Sequence, residues 1–172
     1  MESPLRRPES SEYASYYGRY VGLVTETDIL QAMERQLADT LAHLRLLPAA
    51  AAGKRYAPDK WTIAQVVGHM VDTERLFAFR ALWFARQAPE ALPGMEQDDW
   101  AAVSGHERAT LAELASEFEH MRRANILMFR HLPAEAWSAR GTASGNPFTV
   151  RSLAYMLVGH ERHHLAILKE RY

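Results

Sequence analysis

Proline spacing constrains this chain more than any other feature. Prolines stand at Pro4, Pro8, Pro48, Pro58, Pro89, Pro93, Pro133 and Pro147, leaving four long proline-free stretches. A proline inside a helix removes a hydrogen bond and costs about 3 kcal/mol, so long helices belong in those stretches. They predict helices over Thr27–Leu47, Thr62–Gln87, Thr110–His131 and Thr149–Arg171. Thr62-Ile-Ala-Gln65 and Thr110-Leu-Ala-Glu113 read as capping boxes, in which each side chain satisfies an orphan backbone N–H. Strand signals are weak: strict alternation is scarce, and neither Asn-Gly nor Asp-Gly occurs. The expectation is an all-α fold, an antiparallel four-helix bundle with the 62–87 and 149–171 helices adjacent. Connections 89–109 and 133–148 are long enough for a short helix or a crossover. Residues 1–25, rich in tyrosine (Tyr13, Tyr16, Tyr17, Tyr20), form a segment expected to lie against a bundle domain of residues 26–172.

Composition narrows the function. A chain of 172 residues makes one domain and buries enough surface to fold without a disulfide or structural metal. Cysteine is absent, which excludes a thiol nucleophile on the protein itself. Twenty Lys and Arg against 21 Asp and Glu argue against a general electrostatic grip on nucleic acid or an anionic membrane. No apolar run approaches the roughly 18 residues of a membrane span. The start of the chain lacks the apolar core of a secretory signal, so the expected location is cytoplasmic. The 62–87 helix is apolar on most sides (Val66, Val67, Val71, Leu76, Phe77, Phe79), more than one core requires, which suggests a homodimer.

The histidines concentrate in two places, Gly159-His-Glu-Arg-His-His164 and Val67-Gly-His-Met70. At about 100° per residue, Leu153, Met156, Leu157, His164, Ile167 and Leu168 fall within about 80° of His160. Arg151, Arg162 and Lys169 fall opposite, on what reads as a solvated basic face. His160 and His164, four residues apart, can therefore offer two imidazoles to one point from an apolar stripe. A third imidazole from a facing helix would complete a three-nitrogen site with an open position, the arrangement of catalytic zinc. His-x-x-x-His pairs also arise by chance, and a lone helical histidine is more often a hydrogen-bonded core or surface residue. Glycine beside histidine on both helices suggests close backbone approach. Gln65, Asp72 and Thr73 lie near His69 and could orient a ligand or act on bound water; capping and ordinary hydrogen bonding are the plainer roles. His163 points away as a poor third ligand. His43, His106, His120 and His131 read as surface or loop residues, and Glu117–Arg123 as a solvated helix face.

Lys60-Trp-Thr-Ile-Ala-Gln-Val-Val-Gly-His69, Asp72-Thr-Glu-Arg75 and Gly159-His-Glu-Arg-His-His164, in that order, resemble the DinB-like superfamily. Its members include the damage-inducible DinB proteins of bacilli, YfiT-type metal hydrolases and transferases of low-molecular-weight thiols. The resemblance extends over nearly the whole chain, from Glu12-Tyr-Ala to Glu170-Arg-Tyr172. It implies a four-helix bundle holding a divalent metal, usually zinc or nickel, on one histidine of the second helix and two of the fourth. Carried over by motif, those ligands are His69, His160 and His164. One departure stands out: Ile167 occupies a place where many members carry glutamine.

Three neutral imidazoles leave a bound dication its full charge, which can acidify a water or deprotonate a coordinated thiol. The first route describes a hydrolase. The second describes transfer of a small-molecule thiol to an electrophile, and the lack of cysteine suits it. A non-catalytic metal-binding stress protein is the third possibility. Asp72, one turn beyond His69, is the candidate orienting group or general base.

Overall fold

The computed structural model describes residues 5–172. Residues 1–4, Pro4 and the start of the tyrosine-rich segment among them, lie outside the described residues. The helices are α1 (Gly18–Val21), α2 (Ile29–Leu46), α3 (Ile63–Ala85), α4 (Gln97–Val103), α5 (Leu111–Arg130) and α6 (Val150–Arg171). Two short strands, β1 (Arg140–Ala143) and β2 (Asn146–Thr149), pair antiparallel. The four long helices fall in the four proline-free stretches. Thr62 and Thr110 form the expected capping boxes with Gln65 and Glu113, and Asp28 caps α2 by accepting from the Gln31 amide. Thr149 makes a further box with Ser152 at the head of α6. Each such cap is worth about 1 kcal/mol.

Two apolar clusters fill the bundle. One joins the start of α2, the end of α3, the end of α5 and the first half of α6, through Ile29, Met33, Phe84, Phe129, Leu153 and Leu157. The other joins the opposite ends, through Leu41, Val67, Leu114, Phe118 and Leu168. Shared ends fix the directions. α3 runs antiparallel to α6, and α2 antiparallel to α5, while α3 and α5 point the same way. The long 86–110 connection, which contains α4, is what returns the chain along the bundle to make that parallel pair.

A polar layer crosses the bundle between the two clusters. Arg122 of α5 donates from Nε and Nη2 to the two oxygens of Glu74 on α3, at 2.8 and 2.7 Å. Its Nη1 donates to Glu161 of α6 at 2.6 Å, and Asn125 adds a third bond to Glu74. Arg122 is fully buried, so Glu117–Arg123 is not the uniformly solvated face expected; Arg123 with Glu119 at 2.8 Å is the exposed pair there. Burial works against the Arg122 charge, but the Glu161 and Glu74 carboxylates more than offset it and hold its pKa above the usual guanidinium value.

The expected basic face of α6 is also covered. Arg151 forms a buried two-pronged pair with Glu12 at 3.0 and 2.9 Å, and Arg162 pairs with Glu26 at 2.5 Å. The cause is the tyrosine-rich segment and the turn that follows it, which lie across this face and bring Glu12 and Glu26. Lys169 alone of the three basic residues is exposed. On α3, Phe79 is half exposed rather than core.

Both site-flanking glycines have a purpose other than α3–α6 approach. A Cβ on Gly159 would collide with the backbone carbonyl of Tyr20, and one on Gly68 with the His106 ring. In an open helix, Gly→Ala stabilises by up to about 1 kcal/mol. Here the sign reverses, because a backbone carbonyl cannot step aside as a side-chain tip can. Gly159→Ala should cost about 2 kcal/mol and loosen α1 from α6. Denaturant unfolding checks this; a stabilised variant would contradict it.

The hairpin escaped notice in the sequence because its turn is Ser144-Gly145. Both residues have positive φ (51° and 71°), the left-handed pair that a two-residue hairpin turn needs.

Candidate metal centre

His69 lies in the second turn of α3, and His160 and His164 on successive turns of α6. One nitrogen from each lies within 4.8 Å of the others, and all three side chains are buried. His69 Nε2 and His160 Nε2 are 3.0 Å apart. Ring centroids are 4.9 Å apart for His69–His160, 4.8 Å for His69–His164 and 4.4 Å for His160–His164. His164 Nδ1 is buried without a hydrogen-bond partner. Trp61 packs against His69, and Tyr20 and Phe77 meet His160 edge-on at 5.3 and 6.0 Å.

No carboxylate pairs with these three rings among the described residues. Burial, reinforced by neighbouring histidines, lowers the His69 pKa to about 4 and holds His160 and His164 well below the usual histidine value. The rings are therefore neutral at pH 7, the state in which imidazole donates to a metal. Three convergent neutral nitrogens, one buried nitrogen without a partner, and apolar walls fit a borderline dication such as zinc or nickel.

The same shifts predict a pH dependence for metal-free protein. Below pH 6.5 the unfolded chain binds protons that folded His69 refuses until about pH 4. Stability must then fall as pH falls through that window, by about 3 kcal/mol from His69 alone. Urea unfolding at pH 7 and pH 4.5 should show the loss, and His69→Gln should reduce it. A pH-independent stability would contradict the buried, neutral site.

The other expected residues are placed as follows. Thr73 brings its hydroxyl to 3.5 Å from His69 Nε2. Gln65 is occupied in the Thr62 capping box. Asp72 contributes no oxygen to the cluster; its carboxylate lies 3.7 Å from His106 and 3.7 Å from Arg75. His163 is half-buried beside Tyr20 and His164 and contributes no nitrogen to the cluster. His106 is not the free loop residue expected: its ring fills the notch over Gly68, next to His69. The missing side chain at Gly68 was the sequence signal for that contact.

Two adjoining cavities reach the cluster. One, of about 320 Å³, is lined by His160; the other, of about 330 Å³, is lined by His164 and Ile167. Gln97 and Asp98, at the start of α4, border both. Neither cavity was legible in the sequence, since α4 and the tyrosine-rich segment reach the site from outside the motifs.

No curated protein sequence matches the chain. Among solved structures, the fold is similar to YfiT from Bacillus subtilis, described as a probable metal-dependent hydrolase with an unusual four-helix bundle topology. The two share 16% identity at a TM-score of 0.73, over 95% of this chain and 89% of that one. It is also similar to a mycothiol-dependent maleylpyruvate isomerase, at 16% identity and a TM-score of 0.67, over 80% of this chain and 58% of the other. The sequence profile of the DinB superfamily matches residues 32–168, which include all four long helices in whole or large part and all three clustered histidines. The chain belongs to the DinB superfamily.

Proposed function

We propose that the protein is a divalent-metal-dependent enzyme that transfers a small-molecule thiol to an electrophile, with zinc or nickel held by His69, His160 and His164. The observation that carries this reading is the pair of cavities meeting at the histidines, one reached past His160 and one past His164. A hydrolase needs one organic substrate and water; two adjoining cavities, each lined by a different histidine of the cluster, suit a two-substrate transfer. The absence of cysteine means that a sulfur nucleophile must arrive as a cosubstrate. When bound, the metal supplies a Lewis acid that lowers the pKa of a coordinated thiol or water.

The chain's own residues do the rest. The three imidazoles hold their nitrogens neutral and convergent, while Trp61, Tyr20 and Phe77 keep bulk water from the rings. Thr73 offers a hydroxyl at the His69 donor atom. Asp72 is assigned a positioning role through His106, which packs over the backbone beside His69.

The likeness to a probable metal-dependent hydrolase favours ester or amide hydrolysis at the same centre as the second reading. A turnover screen separates the two. Under the first reading, chelation abolishes conjugation of thiol to electrophile and added Zn²⁺ or Ni²⁺ restores it. Metal-dependent cleavage of an ester or amide without any thiol assigns the hydrolase instead.

A further inference from the structure

Arg80 is the least explained charge in the molecule. Its side chain is 1% exposed, yet no carboxylate lies within ion-pair reach of it among the described residues. Nη2 donates to the Pro93 carbonyl at 2.8 Å and to Ser144 Oγ at 3.2 Å. Nε is buried with no partner at all. Burial pulls its pKa down, and the neighbouring Tyr17 hydroxyl only partly opposes this. A buried, always-charged guanidinium without a counter-ion is costly, and its planar fork is shaped for a carboxylate.

Its position gives that cost a purpose. His69, Thr73, Leu76 and Arg80 follow one another at four, three and four residues along α3, so they form one stripe on one face. Arg80 sits about 16 Å further along the helix axis than His69, and long helical side chains lean back toward the N-terminus. The cavity on the His160 side is lined by the far part of this stripe, Leu76 and Arg80. His160 and Arg80 both line it, together with Tyr17, Tyr20 and Phe77. Glu96 and Asp98 also border this cavity, but from the exposed start of α4, and neither is paired with Arg80.

We propose that Arg80 is the carboxylate-binding residue of this cavity, so that the electrophilic substrate is a small organic acid. Its carboxylate pairs with the guanidinium, its apolar body lies along Leu76 and Phe77, and its reactive end faces His160. This assignment rests on the histidine cluster being the reaction centre. It also divides the two cavities, leaving the one beside His164 for the thiol.

The test is calorimetric titration with benzoate and with benzamide, its neutral isostere, on protein as purified and on protein treated with chelator. Benzoate should bind both forms with similar affinity, and benzamide at least about ten-fold more weakly. Arg80→Lys keeps the charge but loses the fork, and should weaken benzoate about ten-fold while metal content is unchanged. Leu76→Trp, which fills the cavity without touching the Arg80 bonds to Pro93 and Ser144, should abolish benzoate binding even if Arg80→Lys fails to fold. Equal binding of benzoate and benzamide overturns the proposal. So does full benzoate affinity in either variant, or loss of benzoate on chelation, which would place the carboxylate on the metal. Benzoate selectivity in a chain that binds no metal would sink the metal reading alone, and metal binding without that selectivity would sink Arg80 alone.

Discussion

Replacing His69, His160 or His164 by alanine should lower divalent-metal affinity by more than about 100-fold in each case. Loss of a partner that merely orients a ligand typically costs 10- to 100-fold, and removing one of three donors exceeds that. The three substitutions should be nearly equivalent, because each ring is buried and each gives one nitrogen to the same cluster. His163→Ala and His120→Ala should retain most of the affinity. His163 lies outside the cluster, and His120 is an exposed residue bonded to Ser116. Competition with a chromophoric chelator measures all five. Equal losses for His163 and His164 would mean that a different set of rings holds the ion.

The largest effect on stability should come from Arg122. Arg122→Met leaves Glu74 and Glu161 facing each other in the polar layer with no cation between them. Breaking a buried pair by removing one partner costs about 3–5 kcal/mol, far more than an exposed pair is worth. Removing all three charges by Glu74→Leu, Arg122→Met and Glu161→Leu together should recover much of that loss, since the penalty is the stranded charge. Denaturant unfolding reads both. A single-variant loss below about 1 kcal/mol would show that the layer is hydrated and that its carboxylates are not stranded. Because Glu161 follows His160 directly, metal affinity in Arg122→Met also reports how far this layer steadies the ligand.

The four long helices were legible because local signals agree on them: proline at the edges, Thr62 and Thr110 at two starts, and periodic apolar residues within. The histidine site was legible for a similar reason. His160 and His164 share a helix face by spacing alone, and His69 sits in a motif that the family resemblance marks. What sequence periodicity could not carry was contact between distant elements. Arg151 and Arg122 sit at positions that read as solvated, and become buried only because Glu12, Glu74 and Glu161 arrive from other segments. Gly68 and Gly159 were recognisable as packing positions, but not their partners, His106 and Tyr20. Ser144-Gly145 lacks the usual asparagine or aspartate of a hairpin turn, so the strands it joins stayed hidden. Arg80 belongs to the same class: its isolation from any carboxylate is visible only once the fold surrounds it.

As proposed, His69, His160 and His164 hold a metal whose open position accepts a thiol. Loading the protein with Co²⁺ and titrating it with 2-mercaptoethanol reads that open position by its spectrum. The expected result is one cobalt per chain and a near-ultraviolet sulfur-to-cobalt charge-transfer band that grows to saturation, absent from His160→Ala. A fully loaded wild-type protein whose spectrum does not change with thiol would contradict it.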